Sequence, residues 1–158
     1  MKFLKTIRFD PTDEHVFTNA AQPGEWAIPG GFRFAGITED QMTSKDRIAF
    51  RTSFLSVENF GSSTFTSVSN LSETERTELV EILANQFVTQ LDAPSKEEAK
   101  QAAEMEVADV CELCSEIPIN SIFSVLRHLD DEGEIIESFS LVDPPGDKLH
   151  TRIWEIVE

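Results

Sequence analysis

The sequence is poor in cysteines, long apolar runs and positive charge, and each shortage excludes a class of protein. Two cysteines among 158 residues are too few for the disulfide framework of a small secreted domain. No segment approaches the ~20 apolar residues that span a bilayer, and residues 1–10 lack the apolar stretch of a secretory signal. We therefore expect a protein of the cytoplasm, where thiols stay reduced.

Basic residues are scarce, with 13 Lys plus Arg against 29 Asp plus Glu and a formal net charge of −16. This charge repels phosphate backbones and anionic lipid headgroups, so we expect no nucleic acid and no membrane among the partners. The charge is also uneven, because residues 1–60 carry a net −1 and residues 61–158 a net −15. The acidic face of the second predicted helix is either a solvated surface or a surface that receives a basic partner.

Recognisable catalytic motifs are missing as well. The chain has no Gly-x-Ser-x-Gly elbow of a hydrolase. Its glycines match neither the dinucleotide fingerprint nor a phosphate-binding loop. The sequence therefore assigns no catalytic residue and no cofactor.

The length fits a single domain over residues 1–158. Three parts follow one another: a strand-rich part over 1–70, a helical hairpin over 72–116 and C-terminal strands over 121–158. Helices grouped between blocks of strands are typical of an α+β fold. We predict a mainly antiparallel sheet with the antiparallel helical hairpin packed on one face.

The strand predictions rest on alternating apolar residues and on turn residues between them. In the first part we expect strands near 2–9, 25–28, 31–36, 47–57 and 63–69, with loops at 10–24 and 37–46. In the last part, 122–129 and 135–142 predict a hairpin that turns at Gly133, and 149–157 predicts a final strand.

The helical hairpin is marked by its caps. Ser72 and Glu75 form the pattern of a capping box, and Ser95 with Glu98 repeats it directly after Pro94. Apolar residues follow the first box with helical spacing. They are Val80, Leu83, Ala84, Phe87, Val88 and Leu91.

Cys111 and Cys114 are the candidate reactive residues. Three positions apart on a helix, their thiols lie on the same side, within reach of one metal ion or of each other. A metal would need further ligands from His15, His128 or His150. The alternative is core packing, because both cysteines continue the apolar stripe of the second helix.

Trp26 and Arg33 are the candidate interaction residues. They lie in an aromatic segment that contains Pro29 and two adjacent glycines, and Trp and Arg are the side chains most often found as binding anchors. The alternative is a bulged hairpin whose aromatic side chains fill the core.

Several short motifs resemble those of an uncharacterised family of short bacterial proteins, classed as a domain of unknown function. They are Pro23-Gly24-Glu25-Trp26-Ala27, Phe32-Arg33-Phe34, Phe54-Leu55, Phe60-Gly61 and Ser63-Thr64-Phe65. The resemblance covers most of the chain and brings no catalytic residue with it. It implies an accessory role beside enzymes that handle cofactors and redox chemistry.

Three functions follow from the sequence. The first is a small acidic cytoplasmic accessory protein that binds a partner protein and has no catalysis of its own. The second is a thiol-based metal or redox protein that uses Cys111 and Cys114. The third is a small-molecule binding module with a pocket between sheet and helices.

Overall fold

The structure, a computed structural model, describes residues 1–143. Its strands are β1 Lys2–Ile7, β2 Trp26–Ile28, β3 Phe54–Ser56, β4 Ser62–Ser63, β5 Phe65–Asn70, β6 Ile122–Leu129 and β7 Ile135–Val142. They form one seven-stranded sheet in the order β4-β3-β2-β1-β5-β6-β7, with every neighbouring pair antiparallel. The α-helices are α1 Thr12–Val16, α2 Ser44–Thr52, α3 Glu73–Leu91 and α4 Lys96–Cys114. The predicted α+β class, in the order strands, helices, strands, is confirmed.

The strand predicted near 31–36 is wrong, because Gly31–Phe34 form a short 3₁₀ helix. Gly30 precedes it with a φ of 73°, a left-handed conformation that turns the chain sharply. A side chain is also excluded there, since a Cβ at Gly30 would lie 2.5 Å from the Cβ of Leu55. Phe32 and Phe34, whose alternation predicted a strand, therefore lie in a tight helical turn.

The strand predicted over 47–57 is also wrong in its first half, which belongs to α2. The Thr43 hydroxyl accepts a hydrogen bond from the Asp46 amide, and the Asp46 carboxylate accepts one from the Thr43 amide. This capping box starts the helix, and only Phe54–Ser56 remains extended as β3. The predicted loops contain helical turns too: α1 in the first, and Glu39–Gln41 with the start of α2 in the second.

Both helices of the hairpin begin at the predicted serines, although only the Ser72 cap forms the full capping box. The Ser72 and Ser95 hydroxyls accept hydrogen bonds from the amides of Glu75 and Glu98. Helix α4 packs along α3 and contacts β1 and β2. The apolar stripe of α3 is buried through Phe87, whereas Leu91 is 42% exposed. No helix within residues 1–143 has the length and apolar character that crossing a membrane requires.

The C-terminal hairpin also has the predicted form. Strands β6 and β7 pair along their whole length, and Gly133 adopts a φ of 82° in the turn. One oxygen of Asp130 accepts hydrogen bonds from the amides of Glu132 and Glu134, which fixes this turn. The strand predicted over 149–157 lies outside the described residues.

Residues 19–21 cover the β4 edge of the sheet. The amide of Ser62 donates to the Asn19 carbonyl, and the amide of Ala21 donates to the Ser62 carbonyl. Gly61 permits this close approach, because a Cβ there would lie 2.8 Å from the Ala21 backbone. The edge is therefore paired by a segment that is not itself one of the seven strands.

Arg127 on β6 is the largest fully buried side chain among the described residues, with 1% exposure. Its Nη1 donates to the Phe50 carbonyl at 2.9 Å and the Ser53 carbonyl at 2.8 Å, and its Nη2 donates to the Pro29 carbonyl. Its Nε donates to Oε2 of Glu137 at 2.6 Å. One guanidinium thus joins the end of β2, the end of α2 and strand β7.

Leu83→Ala should lower the free energy of unfolding by about 2–5 kcal/mol, because it leaves a cavity in the core. Ile82→Ala is the matched control on the same helix. Since Ile82 is 37% exposed and Leu83 is 0% exposed, the control should cost roughly 0.5 kcal/mol. Urea titration of both variants measures the difference, and equal losses would contradict the burial of the α3 stripe.

Arg127→Ala should lower the free energy of unfolding by about 3–5 kcal/mol, because it leaves three carbonyls without their buried hydrogen-bond donor and removes a fully buried side chain. Arg51→Ala is the control, since Arg51 forms an exposed pair with Glu39 at 3.9 Å. Such a pair contributes roughly 0–1 kcal/mol. Urea titration compares the two, and a loss at Arg127 no larger than at Arg51 would show that the buried guanidinium is dispensable.

Candidate binding groove

The two cysteines lie at the end of α4, where Cys114 is buried and Cys111 is half-buried, and both are free thiols. Burial, with a smaller contribution from Cys111, raises the pKa of the Cys114 thiol to about 12. Burial also raises the pKa of Cys111. The thiolate is the reactive and metal-binding form, so these surroundings oppose the chemistry that the thiol hypothesis requires. Within residues 1–143, His, Cys, Asp and Glu side chains form no group of three or more that could hold a metal ion.

Trp26 is half-buried on β2. Its ring meets the Phe3 ring edge to face, with centroids 5.9 Å apart. The Lys5 ammonium lies 4.4 Å from the Trp26 ring centroid, in a cation–π contact. Much of the indole therefore contacts other residues of the fold, and the role of Trp26 in an interaction surface stays a prediction.

The Arg33 guanidinium points towards serines of the fold. Its Nη2 donates to the Ser53 hydroxyl at 2.6 Å and its Nη1 to the Ser62 hydroxyl at 3.2 Å. The guanidinium also lies 4.6 Å from the Phe34 ring centroid. Burial, together with the charge of Arg127, lowers the pKa of Arg33 to about 9. Arg33 and Trp26 thus have different partners, and the proposed binding role of Arg33 likewise stays a prediction.

A groove lies between the 3₁₀ turn Gly31–Phe34 and the helical hairpin, and the sequence analysis did not identify the residues that line it. We call it the apolar groove, and its volume is about 490 Å³. The rings of Phe32 and Phe87, with centroids 5.4 Å apart and edge to face, meet in its lining. The lining residues are Phe32, Phe87, Leu91, Ala93, Pro94, Glu98, Ala99, Ala102 and Glu106.

A second cavity of about 410 Å³ lies between α4 and β7, and we call it the acidic groove. It is lined by Pro29, Glu106, Asp109, Val110, Glu112, Leu113, Glu137 and Phe139. Glu106 lines both cavities, so the two grooves adjoin along one face of α4. Among residues 1–143, no Lys or Arg belongs to either lining.

Glu106 is the most perturbed carboxyl group of the two grooves. Burial raises its pKa to about 7, and the negative charges of Asp109 and Glu137 add to the shift. Glu137 also binds the buried Arg127, which connects the acidic groove to the interior of the fold. Within residues 1–143, no Lys or Arg lines either groove to stabilise the ionised form of Glu106.

One signal in the sequence anticipated part of this site. Glu98, Ala102, Glu106 and Asp109 follow one another at spacings of four, four and three, which places them on one helix face. The opposite walls come from Phe32 and β7, which are distant in sequence. Helical periodicity does not reveal such walls, because they depend on how the whole sheet is assembled.

Cys111 and Cys114 should react slowly with a thiol reagent in the native protein and rapidly after unfolding, because burial opposes the thiolate in both. Labelling followed by mass spectrometry, with and without urea, measures the two rates. Cys111→Ser isolates the thiol of Cys114, which should be the slower of the two. Fast native labelling of Cys114, or stoichiometric zinc or iron in protein purified without chelators, would instead support the thiol hypothesis.

Comparison with known proteins identifies the family of the chain but assigns it no activity. No curated protein and no solved structure shows significant similarity to the chain. A family model described as a family of unknown function, DUF6505, matches residues 1–153, which is nearly the whole sequence. The chain therefore belongs to the family of unknown function DUF6505.

Proposed function

We propose that the protein is an acidic cytoplasmic accessory protein that holds a partner protein in the apolar groove and performs no catalysis itself. The observation that carries this proposal is the groove, an apolar concavity on a chain with a net charge of −16. Binding sites are commonly concave and mostly apolar, with a few polar groups at defined positions. Glu98 and Glu106 provide those polar groups.

The walls of the groove are held firmly by the fold. Phe32 follows the turn at Gly30, and the Pro29 carbonyl just before that turn is bound by Arg127. Phe87 is only 8% exposed and belongs to the main hydrophobic core. A binding site on such supports is preformed, which lowers the entropic cost of association.

The length of the site favours a protein segment over a small molecule. The two adjoining grooves extend along α4 from Glu98 to Leu113, about 22 Å at the helical rise per residue. A polypeptide segment of several residues matches this length.

The small-molecule hypothesis keeps one supporting observation. A volume of about 490 Å³ lies in the range of roughly 300–1,000 Å³ found for ligand pockets. The thiol hypothesis has less support, because burial raises the pKa of both cysteines. The partner-protein proposal is therefore the one to test first.

Replacement of Ala102 by a photo-crosslinking phenylalanine analogue should give a specific crosslink to one partner protein in the native cell. Ala102 is exposed and lines the apolar groove, so the analogue tests contact there without disturbing the core. The same analogue at Glu132, an exposed turn residue, is the control. Mass spectrometry of the crosslinked products identifies the partner.

A second experiment uses Ala102→Trp, whose indole should fill the apolar groove and abolish co-purification of that partner. Glu132→Trp is the control and should leave co-purification intact. Equal crosslinking at both positions, or none at Ala102, would contradict the proposal. A small molecule that co-purifies with the native protein and is lost from Ala102→Trp would support the binding-module alternative instead.

A further inference from the structure

We infer that the partner segment is an extended one in which a large apolar side chain stands two to four residues from a Lys or Arg. The apolar side chain occupies the apolar groove, and the cation lies among Glu106, Asp109 and Glu137. This inference rests on the proposed function and specifies the chemistry of its partner. It assigns the acidic groove a role in choosing that partner.

The adjacency of the two grooves sets the spacing in the partner. Ala102 lies only in the apolar groove and Asp109 only in the acidic groove, and seven residues of helix separate them by about 10 Å along the axis. In an extended chain, side chains two residues apart point to the same side at about 6.6–6.8 Å. The separation of about 10 Å lies between the spans of two and four residues, so an apolar residue and a cation two to four residues apart reach the two grooves together.

Charge complementarity selects a cation for the second position. The acidic groove brings together Glu106, Asp109, Glu112 and Glu137 from two elements of the fold. Arg127 binds Oε2 of Glu137 from the interior. Among residues 1–143, no basic side chain lines the groove to balance the other three carboxylates. The same carboxylates disfavour acidic partners, because like charges across an interface are strongly unfavourable.

Glu106 gives the interaction a pH dependence with a definite sign. The acids around it are Glu98, Asp109 and Glu112 on α4 and Glu137 on β7. Its raised pKa of about 7 means that it loses its proton as the pH rises through neutrality. A cationic partner binds the ionised form better, so affinity should increase over that range, and by linkage the partner should lower the pKa of Glu106.

Selection of random seven-residue peptides against the full chain tests the inference. The selected peptides should share an apolar residue that lies two to four positions from a Lys or Arg. Affinity for such a peptide, measured by fluorescence anisotropy at low salt, should fall at least tenfold in Glu106→Gln/Asp109→Asn. It should stay unchanged in Glu132→Gln, the matched control. In the native protein it should rise at least threefold between pH 6 and pH 8.

Ala102→Trp separates failure of the inference from failure of the proposed function. One result would overturn the inference alone: peptides that bind the native protein but not Ala102→Trp, that lack a basic residue, and whose affinity is unchanged in Glu106→Gln/Asp109→Asn. Absence of any peptide that depends on the groove would overturn the proposed function as well. A photo-crosslink from position 102 to residues 144–158 of the same chain would also overturn the inference, because the chain's own C-terminal end would then be the occupant.

Discussion

The buried guanidinium of Arg127 is the interaction on which the arrangement of this molecule depends. It binds the carboxylate of Glu137, its cross-strand neighbour on β7, and the carbonyls of Pro29, Phe50 and Ser53, which the β6–β7 pairing does not reach. A buried charge is tolerated only when its hydrogen-bonding groups are satisfied. Any shift of α2, of the Pro29 turn or of β7 would therefore leave donors or acceptors without partners. The guanidinium also neutralises part of the partial negative charge at the C-terminal end of α2.

The same group connects the core to the candidate site. Pro29 and Glu137 both line the acidic groove, and Pro29 immediately precedes the turn that places Phe32 in the apolar groove. The geometry of both grooves is therefore linked to one buried side chain. That link explains how a site assembled from three separate parts of the chain is held in place.

Local signals in the sequence predicted the elements that local physics decides. Helices α3 and α4 follow from two serine caps and a regular apolar stripe, and the β6–β7 hairpin follows from alternation around Gly133. The strands expected near 31–36 and 47–57 were wrong, because alternating aromatic residues occur in tight turns and short helices as well. At α2 the decisive evidence was the pairing of Thr43 with Asp46, a cap that the strand alternation obscured.

The site was less predictable, and the reason is again physical. The acidic face of α4 was visible, but the groove needs Phe32 and β7 opposite it, and those contacts arise from sheet assembly. Arg127 was overlooked although a signal existed, since it alternates with Val125 and Leu129 on the buried side of β6. A charge in line with apolar residues of a strand indicates a buried hydrogen-bonding centre. Trp26 and Arg33 were predicted as binding anchors, and much of each side chain contacts other residues of the fold.

The segment that lies against Gly61 has a consequence for the behaviour of the protein in solution. An exposed sheet edge offers free amides and carbonyls to another chain and promotes aggregation. Here residues 19–21 take up those groups on the β4 side, and they approach so closely only because position 61 carries no Cβ. A larger residue at that position would displace the cover and open the edge to intermolecular strand pairing. The lack of a side chain at Gly61 thus protects this edge of the sheet from pairing with another molecule.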